Sequence, residues 1–244
     1  MREPAGEGTI DVMALLFRIF FDLHVLAGAV ALLVFWIPLV TKKGGRTHRA
    51  VGWVYVAAAA TVAVTGSGSA ARLVVEGLGP HPERARAGIF LVYVGVFAAD
   101  SALLGVRALR PKVRPDRWGH AIELSPAVLL VAGGVALAAF GIVQSRLLFV
   151  LFAALGVGQG MVHFRAWRTP PSNREGRLLA HLGAMGTSCI TTLTAFVVVN
   201  GPRLGMRRLD PRLWFVPIVL LGLGLMRLRR VYAKRLAKGD ALLE

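Results

Sequence analysis

Four histidines, His48, His120, His163 and His181, together with Asp100 and Glu123, lie within or at the edges of long apolar stretches. An ionisable side chain in hydrocarbon costs several kcal/mol unless it is paired or ligated, so these six are the first place to look for chemistry. Imidazole suits Zn, Cu or Fe, and two imidazoles across a helical bundle can hold haem iron axially. Helical rise puts His163 and His181 each ~6 Å in from the same end of their segments. His48 and His120 open two other segments at that end, with Glu123 one turn beyond His120 and Asp100 somewhat deeper. Spacing aligns Gln159 with His163, His120 with Glu123, Tyr93 and Phe97 with Asp100, and His181 with Met185, Ser188 and Thr192.

Three chemistries fit this set. His48 or His120 opposite His163 or His181 would bind haem b, non-covalently because no Cys-x-x-Cys-His is present. His120, His163 and His181 would alternatively hold a Zn, Cu or Fe ion, with Asp100 or Glu123 as catalytic base for a metal-bound water. The same stripes could instead relay protons or ions in a transporter or sensor without a cofactor. Each residue also has a plainer role. His48 and His120 suit a membrane interface, and His163 and His181 an interhelical hydrogen bond. Asp100 suits pairing with Arg107 on its own face, and Glu123 a helix start. His24 stands apart, ~24 Å from that end; Asp22 suits the outer interface beside Arg18, and His81 lies in a loop between prolines as a solvated side chain.

Seven apolar segments must position these groups: 12–40, 50–71, 87–109, 121–143, 147–167, 178–201 and 212–228. Each is near the ~20 residues needed to span a bilayer. The chain is 55% hydrophobic and 17% charged, so the expectation is an all-α membrane protein, one bundle of seven transmembrane helices forming a single domain over 1–244. The connection 143–146 is so short that segments four and five form a hairpin, and Pro38 and Pro217 are expected to kink or break their helices. Small residues concentrate in segments two and six, where they let helices approach or, alternatively, line a ligand channel. Cys189, alone, excludes disulfides within one chain and reads as a small apolar residue. Arg2, Glu3, Glu7 and Asp11 do not make a basic leader, so the first segment is expected to stay as a helix.

A net charge of +16 would suggest nucleic acid in a soluble chain, but here the cations sit between apolar segments. Nineteen positive side chains fall on one side, including Lys112, Arg114 and Lys238, and nine on the other, including Arg2, Arg207 and Arg208, with Arg18 of the first segment counted in neither group. That asymmetry predicts the N-terminus outside and the C-terminus in the cytoplasm, in the bacterial inner membrane, with anionic lipids against the cytoplasmic face and no nucleic-acid partner. A quinone or another small molecule is the expected substrate of a redox centre.

Two elements carry a resemblance. His24-Val-Leu-Ala-Gly-Ala-Val-Ala-Leu followed by His48-Arg49-x-x-Gly52-x-x-Tyr55, and His181-x-x-x-Met185-x-x-Ser188 leading to Thr194-Ala195-Phe196 and Asn200, resemble an uncharacterised family of predicted bacterial multi-pass membrane proteins. The likeness covers about a quarter of the chain and implies a multi-helix membrane fold without an activity. His24, Lys42-Lys43 and His48 are also similar to transmembrane cytochromes of the b type, which implies a haem between histidines. The cytoplasmic-side His/Asp set looks like that of seven-helix hydrolases of the adiponectin-receptor and ceramidase type, although residues 212–232 lack their second His pair.

Overall fold

The apolar segments fold as long helices, and the polar turns flanking them are helical too. The computed structural model describes residues 12–110, 117–206 and 210–237. Helix α1 (Val12–Val34) and the short α2 (Trp36–Val40) form the first span; α3 (Arg46–Glu76), α4 (Pro82–Arg107), α5 (Arg117–Val143), α6 (Leu147–Arg168), α7 (Arg174–Asn200) and α8 (Pro211–Ala237) supply the other six. A single 3₁₀ turn, Gly201–Leu204, follows α7, and no strand occurs among the described residues. The seven spans are 22 to 31 residues long and apolar enough to cross a bilayer. The protein is therefore an all-α, multi-pass membrane protein. Large apolar side chains such as Leu33, Val40, Ile122 and Ile142 face outward, as lipid contact requires. Arg2, Glu3, Glu7, Asp11, Lys112, Arg114, Arg207, Arg208 and Lys238 lie outside the described residues.

Helix ends differ from the apolar boundaries because charged residues are good helix formers once a span has nucleated the turn. The largest extension is α8, which continues through Arg229, Arg230, Lys234 and Arg235 to Ala237. Cations in a last turn also complement the negative end of the helix dipole. The two prolines behave differently. Pro38 lacks the N–H that would bond the Val34 carbonyl, and the first span is interrupted at Phe35. Pro217 was expected to kink or break its helix, and α8 runs through it without a break.

Helix α4 is the hub, packing against α3, α5, α6 and α7, while α1 leans on α3 and α8 on α7. The α5–α6 hairpin is as tight as the sequence requires; Ser145 turns it with φ 51°. One close approach needs glycine. The Tyr93 phenol lies where a Cβ on Gly156 would stand, and its O–H donates to the Leu130 carbonyl at 3.0 Å, tying α4 to the hairpin. Around it Phe90 stacks on Phe149 with centroids 5.0 Å apart, and meets Phe152 and Trp214 edge-on at 5.1 and 5.0 Å. This aromatic cluster ties α4, α6 and α8 together at the end of the bundle where α4 and α8 begin. At the opposite end lie the loops 41–45, 108–110 and 169–173 and the C-terminal end of α8. That end is called the basic face below.

Candidate functional site

Two histidine seams run from the basic face into the bundle, one between α3 and α7 and one between α4 and α6. On the first, His181 Nδ1–H donates to the Gly105 carbonyl at 2.7 Å and His48 Nδ1–H to the Pro38 carbonyl at 3.1 Å. A carbonyl only accepts, so the proton on each ring is assigned to Nδ1, which leaves Nε2 with the lone pair in the neutral ring. Pro38 and Gly105 lie in the last turns of α2 and α4, where carbonyls lack intrahelical partners and the helix dipole is negative. The helix end at Gly105 favours positive charge beside His181, whereas the one at Pro38 already holds the Lys43 ammonium beside His48. Their centroids are 6.4 Å apart and their planes meet at 62°. Two imidazoles on one metal, at bonds of ~2.0–2.1 Å, need centroids roughly 6 Å apart if they bind from opposite sides. The separation fits a shared metal or haem iron.

Helices α3 and α7 both start at the basic face, so they run parallel. Seven residues beyond His48 and His181, two helical turns on, they meet again: the Tyr55 hydroxyl bonds Ser188 Oγ at 2.8 Å and Thr192 Oγ1 at 3.2 Å. Tyr55 packs with Ala31, Phe35 and Ala58, and Met185 and Cys189 close the cluster. Gly105 provides space for the Met185 side chain beside the carbonyl that holds His181. Lys43 Nζ donates to the Pro38 and Leu39 carbonyls at 2.8 and 2.5 Å, placing a cation beside the acceptor of His48.

The second seam is drier. Asp100 is fully buried and His163 is 2% exposed. His163 Nδ1–H donates to Asp100 Oδ1 at 2.5 Å, and Gln159 Nε2 donates to Asp100 Oδ2 at 3.0 Å. The shared face of Gln159 and His163 was expected; their common partner was not. Asp100 does not pair with Arg107. Arg107 instead forms an ion pair with Glu123 of α5. Arg107 is on the same face as Asp100 but ~10 Å along the helix, too far to reach back, and α5 offers a carboxylate at its own level.

His120 places its ring edge-on to Trp167, centroids 5.7 Å apart. His24 Nδ1 is 3.2 Å from the Val62 carbonyl and 3.3 Å from Thr65 Oγ1, fitted against Gly66, where a Cβ would come within 2.8 Å of the ring. His81 lies beside Glu83 at 3.6 Å, both well exposed. His48 and His181 are brought together, whereas His120 meets Trp167 of α6, and His163 and His181 reach α4 at separate points, Asp100 and the Gly105 carbonyl. Among the described residues no three His, Cys, Asp or Glu side chains gather as a metal group. Asp100 and Glu123 each have their own cationic or histidine partner and lie apart. Four imidazoles, those of His24, His48, His163 and His181, have Nδ1 anchored by an oxygen, the arrangement that orients a ligating Nε2.

A cavity of about 1910 Å³ lies between α4, α6, α7 and α8 and reaches α1 and α3. Gln159, His163, His120 and Glu123 are in its wall, and it extends past Phe152 and Trp214 to Asn200 and Arg203. Small residues of α3 and α7, for which a ligand channel was the alternative to close helix packing, line it. Comparison with family models, curated proteins and solved structures finds no match to this chain.

Proposed function

We propose that the chain is a bacterial inner-membrane protein, N-terminus outside and C-terminus cytoplasmic, that binds haem b or a single transition-metal ion for redox chemistry through His48 and His181. The observation that carries this reading is the proximity of the pair, 6.4 Å between ring centroids with each Nδ1 held by a helix-terminal carbonyl. The carbonyls fix tautomer and ring direction. The bound group would supply one-electron transfer. The protein would supply two oriented nitrogens and the Lys43 cation nearby. Excess Lys and Arg at the basic face support the orientation. Elemental analysis and pyridine haemochrome assay of purified protein test the reading. One haem or one metal per chain is expected in the wild type, with loss in His48→Ala and His181→Ala but not in His120→Ala. Metal-free, haem-free wild-type protein expressed with both supplied would overturn it.

A second reading rests on the Asp100–His163–Gln159 group, which lies against the cavity and could carry a proton for coupled transport. Proton-driven uptake into vesicles, abolished by Asp100→Asn, is its test. A zinc hydrolase is less well supported, because the described residues bring two imidazoles close together and gather no third ligand with them.

A further inference from the structure

The cavity has a volume about twice the upper end of the ~300–1,000 Å³ usual for drug-sized ligands. Its length along α7, from Arg177 to Asn200, is ~35 Å at helical rise, comparable to the hydrocarbon thickness of a bilayer. An occupant that fills it is long and mostly apolar. The α7 wall is small-residue surface, Gly183, Ala184, Thr187 and Thr191, which leaves width for a chain between the helices.

Charge at the basic face says what ends that chain. Arg107, Arg110, Arg168, Arg177 and Arg229 all line this end, against one lining carboxylate, Glu123, already paired with Arg107. Among the described residues none of Arg110, Arg168, Arg177 and Arg229 has an ion-pair partner. Arg229 is also seated. Its guanidinium lies over Gly183, where a Cβ would come within 3.2 Å of Cζ, so the absence of a side chain there lets the cation rest against α7 at the cavity wall. Guanidinium groups are suited to bidentate recognition of carboxylate or phosphate.

We propose that the cavity binds a long-chain amphiphile with an anionic head, the head held by Arg177 and Arg229 at the basic face and the chain lying along α7 toward Asn200. Cationic mouth and apolar shaft do not depend on the metal reading, and either can stand without the other.

Photolabelling of purified protein in mild detergent tests this with three chain-matched diazirine probes: a fatty acid, an alkyl phosphate and an alkyl alcohol. The expected result is saturable labelling by one or both anionic probes, about ten-fold above the alcohol, with adducts in the 183–194 stretch of α7. Whichever anion labels at lower concentration identifies carboxylate or phosphate as the natural head. The pair Arg177→Gln and Arg229→Gln should lower anionic labelling about ten-fold without changing alcohol labelling, as loss of charge-assisted hydrogen bonds predicts. Competition on the wild type needs no variant: unlabelled oleate should displace the probe where oleyl alcohol does not. Equal labelling by all three probes, or adducts confined to lipid-facing residues such as Val219 and Leu220, would show an ordinary lipid annulus and overturn the proposal.

Discussion

The α3–α7 seam and the α4–α6 seam each hold histidines by Nδ1, but against different oxygens. His48 and His181 donate to backbone carbonyls, which orient a ring without adding a formal charge. His163 donates to the Asp100 carboxylate, which with one added proton makes a pair of zero net charge inside a fully buried site. Exposure follows the same division: the carbonyl-held rings are partly accessible near the basic face, and the carboxylate-held ring is sealed. The contrast separates two settings that composition alone merges. Either anchor fixes the ring through Nδ1; what separates the two seams is the buried carboxylate charge at Asp100 and the near-complete burial of His163.

That contrast can be broken most severely at Asp100. Asp100→Leu strands His163 and Gln159 in a dry site and is expected to cost about 3–5 kcal/mol, read as a large fall in thermal midpoint in detergent. Combining it with His163→Leu should recover part of the loss, since both members of the pair are then gone. If the single change leaves the midpoint unaltered, the seam is not the structural pair described here. His181→Ala should act in the opposite sense, with a small loss of stability and complete loss of bound haem or metal. Gly156→Ala forces Tyr93 from its carbonyl and is expected to cost about 1–3 kcal/mol. Tyr55→Phe removes the α3–α7 hydrogen bonds and should cost about 1 kcal/mol, checked by the same melting assay. The smallest effect belongs to Thr194, whose buried Oγ1 has no hydrogen-bond partner among the described residues. Thr194→Val keeps the shape and discards the orphan hydroxyl, so the midpoint should stay level or rise slightly.

The seven spans were legible because apolar length is a strong signal in a membrane chain. Their ends were not, since Arg- and Glu-containing turns continue a helix without any apolar mark, as in the last nine residues of α8. Depth along the helices also placed His48 and His181 at the same end of the bundle, although the closest depth match was between His163 and His181. What they bond to was invisible, because a backbone carbonyl at Pro38 or Gly105 has no side-chain signature and becomes an acceptor only where its helix ends. The reverse holds for Asp100 and His163: both residue types were conspicuous, but same-face spacing favoured Arg107, which packing against α5 assigns to Glu123 instead. Spacing within one helix reports which side chains share a face. Which helix stands opposite is a tertiary fact.

The central claim is that His48 and His181 hold a redox-active centre. A reduced-minus-oxidised absorbance spectrum, recorded on wild type, His181→Ala and His163→Gln in mild detergent after expression with haem and transition metals supplied, tests it most directly. The account predicts a haem Soret and α-band, or a metal-dependent band, in wild type and His163→Gln and none in His181→Ala. A flat wild-type spectrum with no bound metal, or a band that survives His181→Ala unchanged, would contradict it.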